Sequence, residues 1–184
     1  CWKASTKMAA TGILLKFFFD MCLLKKNPQD LPASSFLLQL LIACNISINF
    51  IINIATTSVP VALFLSVLAV ALVWAFMSLL LWTLNFSSRR TQTLTSIFGT
   101  DLIIAVPAIV LRYWLHWLDT NNLQSDLAII LWILVFIWNL IVTAHILRHA
   151  IDKPFGVGVI ASVGYTIIVF NVMYSTHDWL VNVN

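Results

Sequence analysis

Residues 60–85 read PVALFLSVLAVALVWAFMSLLLWTLN. No Asp, Lys, Arg or His interrupts the run, and it exceeds the roughly 20 apolar residues that carry a helix across the bilayer core. Lipid offers the backbone no hydrogen-bond partner, so such a run crosses as a helix. Pro60 suits its first turn, where a missing N–H costs nothing. Outward from it, four more runs qualify: residues 36–58, 99–117, 127–148 and 154–175. The breaks fit. Thr56-Thr57-Ser58 precedes Pro60, residues 85–95 are polar, Asp119-Thr120-Asn121-Asn122 is a turn cluster, and Asp152-Lys153-Pro154 separates the last two runs. The expected fold is all-α: a polytopic integral membrane protein with five transmembrane helices preceded by an interfacial amphipathic helix.

Composition agrees. The chain has 184 residues, 61% hydrophobic and 9% charged, with mean hydropathy +0.97 and no Glu. A soluble domain carries about 25% charge, so a water-facing domain, a nucleic-acid binder and a disordered tail are excluded. Cys1, Cys22 and Cys44 form no close pair, so neither a disulfide framework nor a zinc site is expected. Met8 is a plausible natural start; Cys1 could alternatively be a lipidated residue.

The lead-in helix, about residues 9–26, has apolar Ile13, Leu14, Phe17, Phe18, Met21 and Leu24, with Lys16 and Asp20 sharing one face. Two readings stand: it lies in the interface with Lys25 and Lys26 toward headgroups, or it packs on the bundle. Residues 27–32 then turn the chain, and Ser34 or Ser35 caps the first span. The expected organisation is a cytoplasmic N-terminal segment over 1–35, a five-helix domain over 36–175 and a short non-cytoplasmic tail over 176–184.

Charge orients the spans. Lys3, Lys7, Lys16, Lys25, Lys26, Arg89, Arg90, Arg148 and Lys153 fall on one side, and only Arg112 on the other. The positive-inside rule then places the N-terminus in the cytoplasm and the C-terminus outside, in a bacterial inner membrane. Tyr113, Trp114 and Trp117 mark one interface and Trp82 the other.

Candidate contact residues follow from polar groups among apolar ones. Asn45, Asn49 and Asn53 recur every four residues and form one stripe, which should meet another helix or a wet cavity. Asp101 is read as a cap or dipole partner near the start of the third span. Arg112, roughly 16 Å along the helix, is read as snorkelling to the opposite interface. Pro107 between them should kink the helix. His145 and His149 share a face with Asp152 one turn on. That spacing can hold a metal, but interfacial cations complementing the helix dipole are the simpler reading. Gly158 and Ser162 form a small-xxx-small face for close helix approach, within the bundle or toward a partner.

The order of a lead-in helix, Asn27-Pro28-Gln29-Asp30-Leu31-Pro32-Ala33-Ser34, five spans and a Gly-containing last span resembles the bacterial Yip1-like family of small polytopic membrane proteins. The segments Gln92-Thr93-Leu94-Thr95-Ser96-Ile97-Phe98-Gly99-Thr100 and Gly156-Val157-Gly158-Val159 carry the resemblance most particularly. It implies a five-span fold with a cytoplasmic N-terminus and assigns no catalytic residue. Eukaryotic members are associated with trafficking and small GTPases, for which this chain has almost no cytoplasmic domain.

The functional expectation is a non-enzymatic membrane subunit, without cofactor, that packs against or scaffolds other membrane protein subunits in the lipid bilayer. The alternative is a small-solute transporter or channel using Asn45, Asn49 and Asn53 with Asn139 or Asn171. A metal or haem protein built on His145 and His149 is the third.

Overall fold

The computed structural model describes residues 2–183, with side chains over 12–180. Cys1 and the side chains of Lys3, Lys7 and Met8 lie outside the described residues. Six helices follow one another: α1 (Trp2–Cys22), α2 (Ser35–Asn53), α3 (Val59–Thr83), α4 (Arg90–Thr120), α5 (Asp126–Ala150) and α6 (Phe155–Val183). Helices α2 to α6 are each long and apolar enough to cross a membrane. No strand occurs among the described residues.

Local chemistry sets the helix ends. The Ser34 hydroxyl caps α2 by accepting from the Leu37 N–H at 3.3 Å, and Ser125 caps α5 by accepting from Ala128. Helices α1, α3, α4 and α5 end alike. A left-handed residue (Leu24, Asn85, Asn122 or Asp152) is followed by an N–H that reaches back five residues, to Asp20, Leu81, Leu118 or Arg148. Asn and Asp tolerate that conformation; Leu24, at φ 62°, does not.

The five long helices close a ring in the order α2, α4, α5, α6, α3 and back to α2, while α1 lies against α4. Two stretches are enclosed on every side: residues 93–100 of α4 and 142–147 of α5. The cover over the start of α4 is the lead-in segment. Phe18, Met21 and Cys22 of α1 are buried in the same core as Leu94, Ile97 and Phe98, and Gln92 donates to the Leu31 carbonyl at 2.8 Å. A methyl on Gly99 would collide with the Phe18 ring, so glycine is what lets α1 settle there. Lys16 stays exposed, as do the apolar Ile13, Leu15 and Phe19. The lead-in helix thus docks one edge on the bundle and keeps an apolar edge outward.

Two boundaries differ from the expected ones. The third span begins at Arg90, not near residue 99. Its polar first turns are covered by protein, which a search for lipid-compatible runs does not detect. The stretch 176–183, expected as a tail, is helical and continues α6, since neither Pro nor Gly interrupts Ser175 to Val183.

A polar chamber inside the five-helix ring

Asn45, halfway along α2, is buried and donates to two carbonyls, Leu41 of its own helix at 2.9 Å and Phe98 of α4 at 2.8 Å. One turn on, Asn49 donates to the Asn45 carbonyl at 2.9 Å. Asn53 reaches the Ser66 hydroxyl of α3 at 3.4 Å. The stripe is therefore divided. Asn53 ties α2 to α3, whereas Asn45 and Asn49 line a half-open chamber of about 270 Å³ between the spans, with a mostly apolar wall.

All five spans contribute to its wall. Alongside the two amides stand Val70 and Val73 of α3, Asp101 of α4, Asn139 of α5 and Tyr165 of α6. The Asn139 amide donates to Asp101 Oδ1 at 3.2 Å. This is the one hydrogen bond to that carboxylate among the described residues, and its other oxygen is left for whatever fills the chamber. Tyr165 stands against Phe76 with ring centroids 5.3 Å apart. A second space of about 290 Å³ shares Asn49, Asn139 and Tyr165 and continues between α3 and α6 to Thr166, Phe170 and Met173.

Asp101 corrects the sequence reading. It caps nothing: it stands eleven residues into α4, about 16 Å from the helix start at 1.5 Å per residue. Its partner Asn139 lies at the middle of α5. The carboxylate stands well inside α4 and faces the other spans rather than a helix end. Pro107 sits inside α4, in a groove between α4 and α5, and leaves the Ile103 carbonyl without its helical donor.

Beside the chamber, on the α1 side, the Cys22 thiol donates to the Thr100 carbonyl at 3.8 Å, and the Trp138 indole donates to the Cys22 carbonyl at 3.0 Å. Burial, and then the neighbouring Asp101 carboxylate, push the Cys22 thiol up to about 12.

The remaining predicted residues lie elsewhere. Arg112 donates to the Thr56 hydroxyl at 2.9 Å, and Tyr113 to the Ile51 carbonyl at 2.8 Å, joining α4 to the far end of α2. His145, near the end of α5, is covered by protein and not exposed. Its Nε2 lies 3.2 Å from the Lys26 carbonyl, which can only accept, so Nε2 carries the hydrogen. The chain between α1 and α2 folds over this face of α5, with Gln29 donating to the His149 carbonyl at 3.1 Å. His149 packs edge-on against His145 and accepts from Arg148 Nε at 3.2 Å. Among the described residues no three groups are placed to hold a metal. Gly158 and Ser162 form the α5–α6 seam: Gly158 lies on the Ala144 carbonyl, and Ser162 donates to the Leu140 carbonyl at 3.0 Å.

Sequence reasoning placed Asn139 or Asn171 in the transporter alternative. Asn139 joins the chamber, while Asn171 is exposed and donates to its own helix at Ile167. Tyr165 was missed, although it follows Ser162 by three residues and so borders the small-residue face. Compared with known proteins, the chain matches no family model, no curated protein and no solved structure.

Proposed function

We propose that this membrane protein binds a small cationic or polar solute within the bilayer and passes it across, as a carrier or channel. The observation that carries the reading is Asp101, a carboxylate deep in the span lining a chamber with Asn45, Asn49, Asn139 and Tyr165. Intramembrane ionisable groups are costly and mark ion and solute pathways. The chamber is small against the roughly 300–1,000 Å³ of drug-sized sites, which fits an ion with its waters or a small amine. The second space, toward α3 and α6, supplies a direction of approach.

The subunit role expected from sequence rested on polar and small residues in need of partners. The Asn45 and Asn53 amides and the Gly158–Ser162 face have them within the chain, which weakens that reading in favour of the chamber. We read the protein as non-enzymatic, since the chamber offers three amides, a carboxylate and a phenol for binding but no nucleophile beside a base. The bacterial inner membrane, with the N-terminus cytoplasmic, remains our placement. Its support is the nine-to-one division of basic residues and the meeting of the chain turns at the basic end, where Arg89 pairs with Asp152 at 2.7 Å and donates to the His149 carbonyl. The Yip1-like relationship is likewise proposed, on element order.

The test is uptake into proteoliposomes, with radiolabelled methylammonium as the amine probe and a trapped pH dye for protons. Wild type is expected to move at least one of them, and Asp101→Asn to reduce the rate more than about tenfold, the order expected from losing a buried charge–ligand contact. Flux that ignores Asp101→Asn, or no flux of either probe, rejects the reading.

A further inference from the structure

A separate site lies on the outer face of the ring, where the end of α3 meets the start of α4. A groove of about 470 Å³ is lined by Trp74, Ser78, Leu79, Trp82, Ser87 and Arg90. Three observations there are independent of the chamber.

First, the Ser78 hydroxyl oxygen is the one buried side-chain polar atom, among the described residues, with no hydrogen-bond partner. Other helical hydroxyls in this chain avoid that state by donating to the carbonyl four residues back: Ser47 to Ala43, Ser66 to Ala62, Thr95 to Thr91, Ser96 to Gln92. Ser78 does not; its unpartnered hydroxyl is buried in the wall of the groove and meets an acceptor lying there once it turns about its Cα–Cβ bond. Second, the adjacent arginines are used differently. Arg89 is consumed by Asp152 and by the His149 and Ala150 carbonyls. The Arg90 guanidinium makes no ion pair or hydrogen bond among the described residues and lies over the Trp74 ring, 5.8 Å from its centroid. Stacking fixes a guanidinium while leaving its N–H fork open, and that fork matches phosphate. Third, the groove is open outward: Trp74, Leu79 and Trp82 are exposed large apolar groups, and the groove lies at the end of the molecule that gathers the basic residues.

A cation, an unpaired hydroxyl donor and an apolar trough make complementary contacts to one ligand class. We propose that this groove holds one anionic glycerophospholipid. Arg90 takes its phosphate, the Ser78 hydroxyl donates to a headgroup or ester oxygen, and an acyl chain lies along Trp74, Leu79 and Trp82.

Native mass spectrometry of the full chain, released from micelles doped with phosphatidylglycerol or with phosphatidylcholine of identical acyl chains, tests this. Wild type should retain one phosphatidylglycerol in preference to phosphatidylcholine. Arg90→Ala should cut retention about fivefold, the factor one basic residue contributes at an anionic surface. Ser78→Ala, which removes one unpartnered buried oxygen and so leaves the fold intact, should cut it about threefold, the worth of one hydrogen bond. Lys153→Ala, at the same end but outside the groove, where its charge is exposed and screened from the bound lipid, should leave it within about twofold. Equal retention of the two lipids overturns the proposal. So does an effect of Lys153→Ala as large as that of Arg90→Ala, which would indicate diffuse surface attraction. Displacement of the lipid by millimolar glycerol phosphate would assign the groove to a free phosphate compound instead and also overturn it.

Discussion

Spans α5 and α6 approach closely at Gly158, and replacing it with alanine gives a result that can be calculated beforehand. A Cβ there would overlap the Ala144 carbonyl oxygen and stand 3.1 Å from Arg148 Cβ and 3.2 Å from Arg148 N. The obstacle is backbone, which no rotamer change relieves. An ordinary carbon–oxygen contact is about 3.3–3.6 Å, so α6 would have to withdraw from α5 by roughly 1 Å. Overpacking of this kind costs about 1–3 kcal/mol. The same withdrawal stretches the Ser162–Leu140 hydrogen bond, now 3.0 Å, beyond useful length, and such a bond inside a membrane is worth about 0.6 kcal/mol. Against this, alanine gains about 0.8–1.0 kcal/mol over glycine in a helix. Gly164 supplies the control, because nothing stands within 4 Å of a Cβ there and the propensity gain is the same. The difference between Gly158→Ala and Gly164→Ala therefore isolates the close approach, and should be about 2–3 kcal/mol. Detergent-titrated unfolding followed by circular dichroism measures it. Ser162→Ala should cost about 0.6 kcal/mol in wild type and almost nothing on top of Gly158→Ala. Equal stability of the two alanine variants, within about 0.5 kcal/mol, would refute the seam.

Leu24 holds a left-handed conformation at φ 62° with its side chain exposed, so Leu24→Gly should stabilise the fold by about 1 kcal/mol in the same titration. Gly99→Ala should push the Phe18 ring off α4, and hydrogen exchange over residues 14–22 should quicken while α5 and α6 stay protected. The Cys22 thiol, pushed up to about 12, is protonated throughout the ordinary labelling range. N-ethylmaleimide at pH 8 should leave it unmodified until the protein is unfolded, because a raised thiol value lowers the reactive thiolate fraction at every pH below it. Asp101→Asn removes the smaller of the two causes and should bring the value down only partly.

The five spans were legible because lipid solvation imposes a simple rule, long apolar runs, and residues 60–85 obey it without exception. The breaks were legible too, since Asn85, Asn122 and Asp152 are residue types that accept the left-handed turn each break uses. The site was legible only in pieces. Spacing within one helix put Asn45 and Asn49 on a common face, but it carries no information about which other helix they meet. The Asp101–Asn139 contact joins residues 38 apart, and nothing local to either announces the other. His145 was read as interfacial because it sits near a helix end. What buries it is the chain between α1 and α2, brought there by tertiary packing.

The misreading of Asp101 has one physical source, and it bears on how the chamber is made. An apolar-run criterion asks whether a residue suits lipid, and Thr91 to Thr100 does not. These residues have protein for a solvent instead: Thr93, Thr95, Ser96 and Thr100 return their hydroxyls to their own helix, and Phe18, Met21 and Cys22 close over them. Once α1 covers that polar half-turn after half-turn, α4 can extend by more than two turns before the expected start of its span. Asp101 then falls deep in the bundle opposite Asn139, where lipid alone would disfavour a carboxylate. The lead-in helix and the chamber thus share a wall. Cys22 contacts the carbonyl of Thr100 on one side and the Trp138 indole on the other, adjacent in sequence to Asp101 and Asn139 respectively. Loosening α1, as Gly99→Ala should do, therefore disturbs Thr100 and Trp138, the sequence neighbours of Asp101 and its partner Asn139, before it disturbs the far side of the ring.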